Sequence, residues 1–482
     1  MPLITLIISN NMMAQITPRS LVIDIGKTHV KFHVLDNSFD SVFSKQMKNI
    51  VDQSGLYPSI DIDSIWNWLV ASIKEVTQKY LIKAINITTH GATAALIDRN
   101  STSKDGLVLP ILDYEYTGTF EETPEYDSIR PLFSDTYSPS LPAGLNLGRQ
   151  LYWLKTKFTS DFDKVTDILM YPQYWAWRFT GQRVSEITSL GCHTDLWSIK
   201  ENKYSSLVDY LGCENLLPSV EPAWFDCGLV NVELIQELGL DPQCHFFNGI
   251  HDSNASFLRY KLTQKDEPFT VISTGTWTIL MASQVPLNNL DAKKDMLANI
   301  DAMKEPIACA RFMGGREFEA ICEKAGSWLG EQFNVDDIQS IINQQVFALP
   351  DFSDGSGPFG GAESEFSGNV DKVSGIALAT IYCALMIDYQ LDMLGAKGNI
   401  FIEGAFLKNS LLCAVLNQLR EDNKVMLSMD STGTVQGAGY LSDWGYVKCD
   451  LEYSPSTCTE LTGIKEYQKK WRLYAEKKLR PS

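Results

Sequence analysis

Three short stretches hold residues whose types and spacing could do chemistry together. Leu21 to Asp36 reads LVIDIGKTHVKFHVLD, with Asp24 a lone carboxylate in an apolar run just before Gly26-Lys27-Thr28. Phe246 to Phe257 reads FFNGIHDSNASF, in which an apolar run delivers Gly249, His251 and Asp252 before small polar residues. Phe269 to Ser283 reads FTVISTGTWTILMAS, two apolar runs about Gly275 and Thr276. A glycine lets the backbone approach closely and turn amides can point at an anion, so the first and third stretches could hold phosphate. A carboxylate on a strand-to-helix turn, such as Asp252, is well placed as a general base, with Ser253 or Asn254 near the helix start. Each residue also has a plainer reading. The first stretch could be an ordinary hairpin with a polar tip, Asp252 a helix N-cap, and His251 a satisfied polar residue in a turn.

Gly26-Lys27-Thr28 has the letters that end a P-loop. That motif needs a glycine five positions earlier, where Leu21 stands, and it opens a helix. Here Val30, Phe32, Val34 and Leu35 continue a strand-like pattern, so the stretch reads strand, tight turn, strand. It is not a P-loop.

The surrounding elements must position these turns. Apolar spacing predicts a helix over Asp63 to Tyr80 with Asp63 or Ser64 as its cap. AINITTHGATAALID predicts two strands about a polar interruption at Thr88–Thr93, and Leu147 to Phe158 predicts another helix. Strand-like and helix-like segments alternate throughout, which is an α/β pattern. Both glycine hairpins begin a long α/β stretch, so the second half repeats the plan of the first. Leu349 to Phe366, rich in Gly, Ser, Asp and Pro, predicts a surface loop within the second half.

At 482 residues the chain exceeds what one core usually supports, so two domains are expected. A net charge of −18 argues against nucleic acid or an anionic membrane as partner, since both demand a basic face. The ten cysteines contain no CxxC pair and lie mostly among apolar residues, which predicts reduced buried thiols in a cytoplasmic protein. No run reads as the eighteen or so apolar residues of a membrane span. Residues 1–20 lack a basic segment before their short apolar run and read as an N-terminal extension, not a signal peptide.

The order DIGKTHVK, GIHDSNA, STGTW and FIEGAFLKNSLLCAVLNQL, across more than 400 residues, resembles the FGGY carbohydrate kinase family. In that family an Asp-x-Gly-Thr-Thr/Ser motif precedes a basic residue, matched by Asp24, Gly26, Thr28 and Lys31, with Lys27 in place of a small residue. Gly249 and Asp252 match its Gly-x-x-Asp turn, and Thr274-Gly275-Thr276 its second hairpin. YWAWRFTGQRVSEITSLGCHTDLW and GTVQGAGYL resemble further family segments. Two departures stand out. Gly404-Ala405-Phe406-Leu407 replaces a Gly-Gly-Gly-Ala adenosine loop, and Arg311–Glu317 stands where relatives carry a Lys-Asn pair at the substrate.

The resemblance implies a two-domain actin/hexokinase-like (ribonuclease H-like) α/β fold with an interdomain cleft. Its sugar-binding domain would span 21–258 and its nucleotide-binding domain 259–482. It also implies ATP-dependent phosphorylation of a sugar hydroxyl. Asp252 would be the catalytic base, and Asp24 would hold Mg2+, largely through water. Gly26, Lys27, Thr28, Lys31, Gly275, Thr276, Gly404 and Asn409 would bind ATP. His90, Gly91, Asp113, Glu115, His251 and Ser253 would bind the sugar, with either Asp113 or Glu115 as its acid. His29, His33 and His193 receive no role. His251-Asp252 and the GTWTILM run are most similar to the L-fuculokinase and rhamnulokinase branch, which phosphorylates the 1-hydroxyl of 6-deoxy ketohexoses. Ala92, Ala94 or Trp277 could then meet the methyl group. The partners expected are a small sugar and ATP, with a homodimer an open alternative. A kinase for another ketose or a polyol (xylulose, ribulose, glycerol) is the rival within the family. A non-catalytic sugar-sensing module is the rival of another class, and the intact Asp24 and Asp252 argue against it.

Overall fold

The computed structural model describes residues 18–353, 355–428, 432–449 and 451–479. Most of the expected N-terminal extension, residues 1–17, lies outside them. Alternating apolar residues pair Pro18–Ile25 (β1) with His29–Leu35 (β2) as an antiparallel hairpin in which Asp24 faces Lys31. Ser41–Lys48 (β3) adds an edge strand that packs Phe43 and Met47 on the core and leaves Lys48 exposed at the edge. The first helix is Ile62–Val76 (α1), shifted from the expected span because Asp61 caps it. The Asp61 side chain accepts from the Ser64 amide at 2.9 Å, and Asp63 falls in the first turn.

Leu81–Thr89 (β4) then lies parallel to β1, so the first two threonines expected in a loop are the end of a strand. Ala94–Ile97 (β5), Leu147–Lys157 (α2), Asp167–Met170 (β6) and Tyr171–Thr180 (α3) build an annex on this sheet. Asp226–Leu229 (β7), His245–Phe247 (β8) and Ile250–His251 (β9) complete it, and Asp252–Gln264 (α4) leaves from its end. The strand order is β7-β8-β4-β1-β2-β3, with β9 also on β4.

A second mixed sheet follows. Its strands are Phe269–Thr274 (β10), Thr278–Ser283 (β11), Met296–Ile300 (β12) and Pro306–Phe312 (β13), before helices Gly314–Lys324 (α5) and Gly375–Leu394 (α6). Asn399–Gly404 (β14), Ser410–Leu419 (α7), Val425–Ser428 (β15), Gly433–Gly439 (α8), Tyr453–Pro455 (β16) and Ile464–Lys477 (α9) complete the unit. The order is β12-β13-β11-β10-β14-β15-β16.

Two expectations need correction here. Helix α6, with 20 residues and a mean hydropathy of 1.3, is long and apolar enough to cross a membrane. It is the central core helix of the second unit, buried nearly all round against Ile272, Leu280 and Ile400. The stretch Leu349 to Phe366 is not simply a surface loop, because Phe352 and Phe359 anchor it in the same core. The cysteines are as expected: all ten are free and eight are buried, with Cys458 exposed.

The two units meet where α8 crosses α4. A Cβ on Gly437 would sit 1.8 Å from the Ala255 carbonyl oxygen, so the crossing requires glycine. The segment after α8 continues onto the first sheet. Asn86 donates to the Ser442 hydroxyl at 3.0 Å, Tyr440 packs edge-on against Phe39, and Trp444 stacks on Trp224 with 3.8 Å between ring centres.

Candidate active site

The site assembles at the carboxyl ends of three strands. Asp24 and Ile25 of β1 stand beside Thr88 and Thr89 of β4, which in turn flank Ile250 and His251 of β9. Parallel strands that end together bring the loops after them to one crevice. Those loops are the Gly26–Thr28 tip, the His90–Thr93 segment and the start of α4.

Asp24 is buried, and its Oδ2 accepts from Lys31 Nζ at 3.3 Å. Burial, opposed in part by Lys31 and reinforced by the charge of Asp252, raises its pKa from 3.8 to about 6. Asp252 is the first residue of α4 and not its N-cap, a position His251 takes without using its side chain. A carboxylate at a helix N-terminus is favoured by the helix dipole. Its Oδ1 accepts from the Ser253 amide at 2.6 Å, and the Ser253 hydroxyl lies 3.3 Å away. His251 Nε2 stands 3.3 Å from the same oxygen. Desolvation raises the Asp252 pKa, with His90 the chief opposing influence.

Burial lowers both histidines, His251 to about 4, so each is neutral at neutral pH. The His251 Nδ1 meets Asn254 Nδ2 at 3.3 Å. Gly91 is glycine for a local reason, since a Cβ there would lie 2.9 Å from His251 Nε2. Ser253, expected to touch substrate, braces Asp252.

The first hairpin tip is held from outside. The Gly26 amide donates to the His29 carbonyl at 2.9 Å, and Asn49 donates from its backbone to Thr28 and from its side chain to Gly26. Asn49 was invisible to sequence reasoning. Thr28 is exposed at this tip, as Thr276 is at the other.

Lys27 departs from its expected place among phosphate-binding residues. It reaches across to residues 112–116, where it forms an ion pair with Asp113, lies 3.3 Å from Glu115 Oε2, and sits 4.9 Å from the centre of the Tyr114 ring. Two carboxylates and an aromatic face together attract the ammonium group there. Of the two candidate sugar acids, Asp113 is buried and Glu115 exposed. Ala94 packs in the core with Leu96, Leu112 and Met170.

The second hairpin closes with the Gly275 amide donating to the Trp277 carbonyl at 2.8 Å. Helix α5 begins against its tip. The Gly315 amide donates to the Thr276 carbonyl at 3.2 Å, and a Cβ on Gly315 would lie 2.4 Å from the Gly275 oxygen. The Arg311–Glu317 segment is therefore a support for this hairpin. Arg311 covers Trp277 at 4.9 Å and pairs with Asp295 at 2.7 Å, and Glu317 is buried on Tyr382.

Thr274 ties the hairpin to the next loop, its hydroxyl donating to the Glu403 carbonyl at 2.6 Å and accepting from the Phe406 amide. Gly404 has φ of 88°, and a Cβ there would meet the Thr274 oxygen at 2.1 Å. Asn409 caps α7, accepting from Leu412 and donating to Thr380. Beside this loop opens a groove of ≈ 740 Å³ lined by Phe318, Leu329, Phe333, Phe406 and Asn409. Phe318, Leu329 and Phe333 were missed as lining residues. Their signal was an aromatic-rich stretch, GREFEAICEKAGSWLGEQF, with no strand or turn motif to mark it.

A model of the N-terminal domain of the FGGY family of carbohydrate kinases matches residues 20–258, and a model of the carbohydrate kinase FGGY C-terminal domain matches residues 266–448. The chain belongs to the FGGY family. Its members are ATP-dependent phosphotransferases. Among curated FGGY relatives, an L-fuculokinase of Haemophilus influenzae is 25% identical over 282 residues, 55% of this chain and 57% of that protein. A rhamnulokinase of Oceanobacillus iheyensis is 27% identical over 232 residues, 46% of each chain. The chain thus spans about half the length of the curated relatives it matches.

Among solved structures, a carbohydrate kinase from Novosphingobium aromaticivorans is 28% identical with a TM-score of 0.87, covering 96% of this chain and 99% of that one. A xylulose kinase from Lactobacillus acidophilus shares the fold at 16% identity and a TM-score of 0.78, covering 96% and 98%. The FGGY fold is the two-domain actin/hexokinase-like arrangement expected from the sequence, with one mixed sheet in each unit.

Within that fold the carboxylate set suits magnesium. Asp24 is a buried acid close enough to a second acid, Asp252, for that charge to be felt, with one exposed lysine as partial compensation. Magnesium takes one or two carboxylates and keeps much of its water. The folded pKa of Asp24 lies above its ordinary value, so its contribution to stability is greatest below pH 3.8 and is lost as pH rises through about 6. A bound cation would reverse that preference, because it needs the charged form. With Asp24 as the metal's carboxylate, binding of Mg·ADP would weaken as pH falls below 6, by up to about tenfold per unit. Calorimetry at pH 5, 6 and 7 measures this, and a profile as steep in Asp24→Asn as in the parent chain would refute it.

Proposed function

We propose that this chain is an ATP-dependent sugar kinase whose best substrate is a 6-deoxy ketohexose, L-fuculose ahead of L-rhamnulose, phosphorylated on its 1-hydroxyl. The observation that carries the kinase reading is the position of Asp252. It stands at the start of α4, at the bottom of the crevice, braced by Ser253 and neighboured by neutral His251. Asp252 takes the proton of the attacking hydroxyl at Oδ2, while Oδ1 stays engaged with the Ser253 amide. The first domain, 21–258, receives the sugar around His90, Gly91 and Asp113. The second, 259–482, receives the nucleotide along the Phe318–Phe406 groove, Gly404 and Asn409. The two glycine hairpins, with Thr28, Lys31 and Thr276, meet the phosphates from opposite sides. Asp24 holds magnesium, which neutralises phosphate charge when bound. Closure of the domains excludes water and limits idle ATP hydrolysis.

The choice of sugar rests on the similarity to fuculokinase and rhamnulokinase. Ala92, next to His90 and Gly91 in the chain and buried, is the apolar residue we assign to a terminal methyl. One methyl discriminates by only about ten- to two-hundredfold. The test is kcat/KM for L-fuculose, L-rhamnulose, L- and D-xylulose, D-ribulose and glycerol under one set of conditions. A pentulose or polyol winning tenfold removes the branch assignment and leaves the kinase.

Asp24→Ala should raise the magnesium needed for half-maximal turnover by about ten- to a hundredfold, with sugar affinity little changed. Calorimetry of sugar without nucleotide checks the second half. Lost sugar affinity would move Asp24 from the metal to the sugar.

A further inference from the structure

The first hairpin carries a lysine that leaves the phosphate side. Lys27 stands at the tip between Gly26 and Thr28, and the tip is fixed by the Gly26–His29 turn and by Asn49. From there its side chain bridges to the 112–116 loop, pairing with Asp113 and approaching Glu115 at 3.3 Å. That loop is itself held by backbone hydrogen bonds. The Asp113 amide donates to the Pro58 carbonyl at 3.0 Å, Tyr116 donates to the Asp113 carbonyl at 2.9 Å, and Gly144 donates to the Tyr114 carbonyl at 2.8 Å.

Tyr114 lies between Lys27 and His90, its ring 5.2 Å from the imidazole and edge-on to it. Lys27, Asp113, Tyr114 and His90 therefore form one continuous wall. Gly91, next to His90, lies against His251, whose Nε2 stands 3.3 Å from Asp252 Oδ1, so the wall adjoins the proposed base.

Counting donors and acceptors gives this wall a specific preference. An ammonium has three N–H donors; among the described residues one is donated to Asp113, and Glu115 lies 3.3 Å away as an ion-pair partner, so at least one N–H is left for a ligand. Asp113 Oδ1 accepts from Lys27 and from the Glu115 amide at 3.2 Å, and among the described residues Oδ2 has no donor. One free N–H and one free carboxylate oxygen, side by side, match two neighbouring hydroxyl groups. One hydroxyl donates to Asp113, and the other accepts from Lys27.

We infer that Lys27 is a specificity residue of the sugar subsite, which together with Asp113 reads a vicinal diol of the substrate, and that it is not a phosphate ligand. This rests on the kinase reading above and refines where its substrate is gripped. The family resemblance had put Lys27 with the nucleotide, so the two assignments predict opposite kinetics.

The experiment measures KM for the sugar and for ATP in the parent chain, Lys27→Met, Lys27→Arg and Asp113→Asn, with the best sugar of the panel above. Lys27→Met should raise the sugar KM by about ten- to a hundredfold, the scale of a charged hydrogen bond, and leave the ATP KM within about twofold. Lys27→Arg, which keeps a cation between the two acids, should recover most of the loss, and Asp113→Asn should resemble Lys27→Met. With the parent chain, an analogue lacking one hydroxyl of the diol should lose as much as the variant does. In Lys27→Met that analogue and the full sugar should then differ little. A Lys27→Met enzyme with a raised ATP KM and an unchanged sugar KM overturns the proposal, and so does one with neither changed. If the parent chain phosphorylates no sugar of the panel, the kinase reading falls and takes this proposal with it.

Discussion

Asp252→Asn should fold as well as the parent chain and lose about a hundredfold to ten-thousandfold of its sugar phosphorylation rate. The substitution keeps the shape of the side chain and can still accept from the Ser253 amide at the start of α4. It removes the group that takes the proton. It also removes a carboxylate whose charge the site disfavours by desolvation, so thermal stability should not fall. The charge of Asp252 contributes to the raised pKa of Asp24, so in the variant Asp24 should titrate lower. Single-turnover phosphorylation together with a melting curve measures both halves. More than about half the parent rate in a well-folded variant would mean that the base is another group.

Gly437→Ala is expected to damage the whole chain from a position that carries no chemistry. The added Cβ would fall 1.8 Å from the Ala255 carbonyl oxygen, a backbone atom that can move only with its helix. Helices α4 and α8 must then separate, at a cost of about 1–3 kcal/mol or more for overpacking. In a unit of 150–250 residues, about the size of each of the two here, each kcal/mol corresponds to about 2–4 °C of melting temperature. Activity should fall further than stability does, because α4 carries Asp252 at its first position and Asn254 one turn from His251. A melting temperature and a kcat both unchanged would show that the crossing is looser than the geometry requires. A normal melting temperature with a reduced kcat would locate the effect in domain closure.

Both predictions start from glycines and acids, yet they differ in how visible their basis was. Asp252 was legible because a Gly-x-x-Asp turn between an apolar run and small polar residues follows local rules, and the strand β9 and helix α4 form there as those rules require. Gly437 lies in GTVQGAGYL, which reads as a glycine-rich helix, but nothing in those letters says that Ala255 presses against it. The α1 boundary was misread for a smaller reason. Asp61, Asp63 and Ser64 are all good caps, and only the Asp61 side chain reaches the Ser64 amide. Helix α6 shows the same limit from the side of composition, since apolar length does not distinguish a membrane from the core that surrounds it on every face.

The sequence by itself determined the two glycine hairpins, the Asp252 turn, the α/β alternation and the exclusion of a P-loop. Each depends on neighbours within a few positions, where turn chemistry and periodicity act directly. Tertiary structure alone decided where Lys27 reaches, since Asp113 lies 86 residues further along the chain and a lysine stem is long enough to face either way. It alone assembled Phe318, Leu329, Phe333 and Phe406 into one groove, and turned the Arg311–Glu317 segment into a prop for the second hairpin. Those outcomes come from packing between distant segments, in which the charge, size and approach of a partner matter more than the residues on either side.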